Sequence, residues 1–138
     1  MMDKVNKKII TDTMNKKEGF IFSNNYELVE VNDDYCIIDG KITDSSYNPF
    51  GFAHGGYIFG LADTCAGVLA STDGRAAVTT NGTILYIKKA TGNKIIAKAV
   101  FLKKGKTLSN IEVEIKDDEN NLISKVLFEY FYVWTVMI

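Results

Sequence analysis

The stretch Asn48–Ala70, NPFGFAHGGYIFGLADTCAGVLA, restricts the folds open to this chain more than any other segment. It starts with breakers: Asn48, Gly51 and Pro49, the only proline, make a loop. From Tyr57 to Leu69 only Gly60, Asp63, Thr64 and Gly67 interrupt an apolar run, and no period of two fits it. At about 100° per residue, Ile58, Phe59, Leu61, Ala62, Cys65, Ala66, Leu69 and Ala70 fill one broad face, which predicts a helix. Tyr57, Thr64 and Val68 on the far side carry no charge. The helix is therefore expected to be buried nearly all round, at the centre of the domain.

The flanking segments read as strands. Tyr26–Val31 and Tyr35–Ile42 meet at the Asn32-Asp33-Asp34 turn. After the helix and the Asp73-Gly74 turn come four strands: Arg75–Lys88, Lys94–Lys103, Thr107–Lys116 and Leu122–Trp134. The third alternates, with Ile111, Val113 and Ile115 opposite Glu112 and Glu114. The last places Phe128, Tyr130, Tyr132 and Trp134 on one face and Phe131 on the other. Residues 3–17 form a short, weakly amphipathic helix closed by Gly19, and Phe20–Phe22 a small apolar anchor. The whole is an α+β domain over residues 1–138: a helical segment at residues 1–20, then a curved antiparallel sheet round one buried helix.

Asp63 stands out in this pattern. An ionised carboxylate is costly inside an apolar helix unless something pairs with it. On the helical wheel it lies beside Gly56, Gly60 and Gly67, a strip without side chains that a ligand or another backbone could approach. The N–H groups of Gly55 and Gly56 are first-turn donors at the positive helix end, suited to a carbonyl oxygen gaining charge. His54, the only histidine, and Asn48 sit just upstream. Each feature has a plain alternative: a capped aspartate, a loop histidine, glycines that only pack. Their convergence at one helix start is what points to chemistry.

Asn48-x-x-Gly51-x-x-His54-Gly55-Gly56, followed by Leu61-Ala62-Asp63-Thr64, resembles the signature of the hotdog-fold acyl-CoA thioesterases, nearest in pattern to the phenylacetate-degradation type. Weaker similarity runs from about Tyr26 to Tyr132. The resemblance implies a hotdog fold and hydrolysis of an acyl-CoA, aromatic or medium-chain, to acid and coenzyme A. Asp63 would be the general base or nucleophile, and the Gly55 N–H would hold the thioester oxygen. His54 and Asn48 would orient the carbonyl or the water, and Thr79 would offer a hydroxyl near the carboxylate. No cofactor is implied beyond the coenzyme A of the substrate, and no metal. Two other classes stay open: a non-catalytic acyl-CoA sensor and a hotdog dehydratase or hydratase. Where relatives carry a proline after the Ile84-Leu85-Tyr86 strand, this chain has Lys88-Lys89. Those lysines, with Lys103, Lys104 and Lys106, are candidates for the coenzyme A phosphates, or a solvated turn. Phe52, Tyr57, Phe59 and Tyr86 are candidates for the acyl-pocket wall, or ordinary core.

Helix geometry adds a constraint. Gly55 and Asp63 are eight residues apart, about 12 Å along a helix, so one chain cannot bring both to one carbonyl. A twofold dimer with antiparallel central helices can, and the resemblance implies such a homodimer, assembling further to a homotetramer.

Composition excludes other classes. A net charge of −1 asks for neither nucleic acid nor an anionic membrane surface. The longest apolar runs are too short to span a bilayer and no secretion signal is apparent, so a cytoplasmic protein is expected. Cys36 and Cys65 show no metal or disulfide spacing. Cys65 lies about 160° from Asp63 on the wheel, which makes the two poor partners in one site; Cys36 and Cys65 are expected to be reduced core residues.

Overall fold

The structure, a computed structural model, describes residues 2–134. In order these form α1 (Lys4–Met14), α2 (Gly19–Ser23), β1 (Tyr26–Val31), β2 (Tyr35–Lys41), a 3-10 turn (Asp44–Ser46), α3 (Gly55–Ala70), β3 (Ala76–Tyr86), β4 (Lys94–Lys104), β5 (Leu108–Asp117) and β6 (Leu122–Trp134). The strands make one antiparallel sheet in the order β1-β2-β4-β5-β6-β3. α3 contacts all six strands, which a helix can do only if the sheet curls around it. This is the expected α+β hotdog arrangement. Alternation supplies the core: Ile111, Val113 and Ile115 of β5 and Val126, Phe128, Tyr130 and Tyr132 of β6 point at α3. Phe131 faces outward, as its position predicts. The expected inward side chain of Trp134 lies outside the described residues.

β3 crosses to the far edge of the sheet and pairs with β6. Three expectations need correction. α1 stops at Met14, with Asn15 as its C-cap, and Gly19 instead opens α2: its φ of +90° turns the chain into that helix, which contains Phe20–Phe22. Asp3 caps α1, its Oδ1 accepting the Val5 N–H at 2.6 Å. α3 is also not buried all round. Tyr57, Ile58, Leu61, Ala62, Cys65, Ala66, Leu69 and Ala70 are buried, but Phe59, Gly60, Asp63, Thr64, Gly67 and Val68 form a half-buried stripe. The stripe runs beneath β3, whose surface is largely open.

An irregularity in β3 decides what meets the helix. A register shift between Thr79 and Asn81 inserts one residue opposite β6. Before it, Ala77 and Thr79 face α3; after it, Gly82, Ile84 and Tyr86 do. A bulge changes the parity of a strand in this way. Without it Thr79 and Tyr86 could not both reach the same helix, being an odd number of residues apart.

Candidate active site

Asp63 lies at the middle of α3, and two hydroxyls fix it from the sheet. Thr79 Oγ1 donates to Asp63 Oδ1 at 2.7 Å from β3, and Tyr130 Oη donates to the same oxygen at 2.5 Å from β6. Tyr130 also reaches the Asp63 carbonyl at 2.8 Å. Among the described residues nothing bonds Oδ2, so one carboxylate oxygen is held and the other is left for a reactant. Burial, reinforced by the charge of Asp63, raises the Tyr130 phenol well above its usual range, so it remains a protonated donor. The group lines a cavity of about 480 Å³ that extends past Gly67 and Val68 to Ile10 and Met14 of α1.

The N-terminus of α3 is built differently. His54 is the N-cap, and its Nδ1 accepts the Gly56 N–H at 2.8 Å. An accepting Nδ1 places the imidazole proton of the neutral ring on Nε2, a donor directed away from the cap. The Gly56 N–H, expected to be unpaired, is therefore occupied. The Gly55 N–H has no partner among the described residues and remains a free first-turn donor. Asn48 Oδ1 accepts the N–H groups of Phe50 and Phe52, at 2.9 and 3.3 Å, which folds the loop and leaves the side-chain NH₂ as its free donor. Tyr86 Oη donates to the Gly55 carbonyl at 2.8 Å. Gly55, Asn48, Phe52, Tyr86, Lys88 and Lys89 line a cavity of about 230 Å³.

The five predicted residues thus fall into two groups. Asp63 and Thr79 lie together at one cavity, Gly55 and Asn48 at another, with His54 capping the helix beside Gly55. No residue lines both cavities. Tyr130 was missed as a site residue although its inward position was readable. The available signal was a phenol in a buried row, since a buried hydroxyl needs a partner.

Other local expectations change. The glycine strip is already met by aromatic side chains. A Cβ at Gly60 would lie 2.7 Å from Tyr26 Oη, and one at Gly67 would lie 3.6 Å from Tyr130 Oη. Tyr57 is buried, with its hydroxyl on the Lys41 carbonyl at 2.6 Å, and Phe59 packs edge-on against Phe128. Neither walls the Asp63 cavity. The candidate phosphate-binding lysines also separate. Lys88 and Lys89 follow the Tyr86 end of β3, whereas Lys104 pairs with Asp73 near its Ala76 end, on the order of 30 Å away along the strand. Cys36 and Cys65 are fully buried and free, and the Cys65 thiol donates to the Cys36 carbonyl at 3.1 Å. Burial raises that thiol. No group of His, Cys, Asp or Glu among the described residues is placed to hold a metal ion.

This arrangement, a fixed helical carboxylate and a free N-terminal amide on one helix wrapped by a sheet, agrees with the family comparison. The model of the thioesterase superfamily matches residues 50–124, which include both groups. The chain belongs to the thioesterase superfamily. Among its relatives, the acyl-coenzyme A thioesterase PaaI of Escherichia coli is 23% identical over 99 residues, 71% of each chain. The solved structure of the Escherichia coli PaaI protein, from the phenylacetic acid degradation operon, has a TM-score of 0.88 over 96% of both chains. At 17% identity that is a likeness of fold. A Streptococcus mutans protein solved with acetyl-CoA bound has a TM-score of 0.80 and 27% identity, over 88% of this chain and 98% of that one. As a superfamily member the chain is a thioester hydrolase. Among the described residues no helix is long and apolar enough to cross a membrane.

Proposed function

We propose that this chain hydrolyses acyl-CoA thioesters at a site shared by two copies, with the Gly55 N–H of one polarising the carbonyl and Asp63 of the other driving attack on its carbon. The observation that carries the reading is the separation of the two groups. They belong to one continuous helix, about 12 Å apart along its axis, and open into cavities with no common lining residue. Both groups are needed within about 3 Å of one reacting carbonyl. Asp63 acts as base on a water or as nucleophile through its free oxygen, while Tyr130 and Thr79 hold the other. The neutral His54 and the Asn48 amide offer donors beside Gly55.

β3 supports the dimer. It is the edge strand next to β6, eleven residues long, with a row of backbone groups open to pairing. Pairing with its copy across a twofold axis would continue the sheet and set the two α3 helices side by side, antiparallel. Val78, Phe131 and Leu108, exposed in register across three strands on the outer face, provide a second apolar surface suited to a tetramer. Lys88 and Lys89, at the Gly55 cavity, are the cations we assign to the coenzyme A phosphates.

The test is thiol release from a panel of acyl-CoAs by the wild type and by Asp63→Asn. That substitution keeps shape and removes charge, so turnover is expected to fall by about two to four decades with folding intact. Wild-type turnover in the variant would remove Asp63 from the mechanism. Binding without hydrolysis by the wild type would favour a sensor, and a dehydrated acyl product a dehydratase.

A further inference from the structure

The cavity beside Asp63 has a far wall that the family motif does not supply. Ile10 and Met14 of α1 and Ile21 of α2 close it, and these residues precede the segment matched by the superfamily model. Ile10 and Met14 are buried, so α1 is seated as part of the domain. The near wall is a stripe of α3: Thr64, Gly67, Val68 and Ser71 follow Asp63 at helical spacing. Its polar groups are turned away. Thr64 Oγ1 donates to the Gly60 carbonyl at 2.8 Å and Ser71 Oγ to the Gly67 carbonyl at 3.0 Å. No cationic side chain lines the cavity, and its one carboxylate is Asp63.

We propose that this cavity is the acyl-binding slot and that α1 and α2 determine which acyl groups it accepts: uncharged, apolar chains of medium length. The proposal rests on the hydrolase reading above, because it takes Asp63 to mark the position of the thioester carbon. Length follows from the stripe. Asp63 to Ser71 spans about 12 Å of helix, the reach of an extended chain of roughly eight to ten carbons, each C–C bond of about 1.5 Å advancing by less than its length. Charge follows from the lining. An acyl group ending in a carboxylate would lose its hydration without finding a cation, and would do so near Asp63. Met14, unbranched and adaptable, forms part of the end wall, so the limit should fall off gradually rather than sharply.

The test is kcat/KM for straight-chain acyl-CoAs from acetyl to hexadecanoyl, with succinyl-CoA as the charged arm. Expected is a rise of about fourfold per methylene up to eight to ten carbons, the value of a buried methylene, then a decline, with succinyl-CoA turned over far more slowly than hexanoyl-CoA. Met14→Ala should move the optimum to longer chains. Val68→Phe should lower the ratio of octanoyl to acetyl turnover by at least about tenfold, since one methylene in such a pocket can carry 10-fold discrimination or more. A second measurement does not depend on how these variants fold. In hydrogen exchange on the Asp63→Asn protein, decanoyl-CoA should protect amides of α1 and coenzyme A alone should not. A flat chain-length profile, preference for succinyl-CoA, or unchanged exchange in α1 would overturn the slot while leaving hydrolysis intact. Protection of α1 by decanoyl-CoA in a protein that hydrolyses nothing would support the slot and overturn the catalytic reading instead.

Discussion

Tyr130→Phe isolates one contact of the site. The substitution keeps the ring and removes the hydroxyl that donates at 2.5 Å to Asp63 Oδ1 and at 2.8 Å to the Asp63 carbonyl. The ring remains packed against Phe128, so the core loses little. A hydrogen bond to a charged group contributes about 1.5–3 kcal/mol. If the bond holds the carboxylate in its reactive position, and that energy is expressed in the transition state, kcat should fall by about ten- to a hundredfold. KM should change by less than about threefold, because the phenol is spent on Asp63 and not on the acyl-CoA. The assay is thiol release under saturating substrate, with a thermal melt to show that the variant is folded. The same change in the Asp63→Asn background should cost less than about twofold, since a positioning residue has nothing left to position. A wild-type kcat in Tyr130→Phe would refute the reasoning, as would an equal loss in both backgrounds.

Two further predictions concern stability. A Cβ at Gly82 would stand 2.8 Å from both Phe59 Cζ and Phe128 Cε1, so Gly82→Ala should overpack the sheet–helix contact and destabilise by about 1–3 kcal/mol in chemical denaturation. An unchanged midpoint would show that the rings can move aside without cost. Burial alone would raise the Asp73 carboxyl, but bonds from Arg75 and the charges of Arg75 and Lys104 outweigh it and hold the group below its usual range. A carboxyl lowered on folding adds stability above its unfolded value, near about 4, and loses that contribution as pH falls through the lower folded value. Asp73→Asn should therefore be less stable than the wild type at neutral pH and converge with it in acid; a constant gap across that range would contradict the assignment.

Much of this was legible in the sequence because it depends on local signals. The loop breakers, His54 as the residue before the helix and the apolar run of α3 determine a helix whose start needs no tertiary information. The alternation of β5 and β6 determines which side chains point inward. What could not be read depends on pairing. The β3 bulge is defined only against β6, and it changes the parity of the strand, so the convergence of Thr79 and Tyr86 on one helix is invisible to alternation alone. The bond from Tyr130 to Asp63 joins residues 67 apart and requires the register of β6 over α3. The two lysine groups border consecutive strands, but Lys88 and Lys89 precede β4 and Lys103 and Lys104 end it, so the whole length of that strand puts them at opposite ends of the sheet. The aromatic residues near the motif divide: Phe52 and Tyr86 line the cavity at Gly55, whereas the Asp63 cavity is closed in part by Ile10 and Met14 of α1 and Ile21 of α2, distant in sequence.

The central claim is that each site takes its carboxylate and its free amide from different chains, and mixed dimers test it directly. Asp63→Asn disables one half. Gly55→Pro disables the other by deleting the backbone N–H. The extended His54 (φ −64°, ψ 140°) suits a residue before proline, and proline is accepted at the first helical position. The new ring would press on Tyr86, so each variant must first be shown to be folded and dimeric. Unfolded together and refolded, the inactive variants form mixed dimers in which one site carries both lesions and the other carries neither. The account predicts recovery of up to about half the wild-type activity per mixed dimer, if sites act independently. Sites contained within one chain would each keep a lesion, and a mixed dimer confirmed by native mass spectrometry yet still inactive would contradict the account.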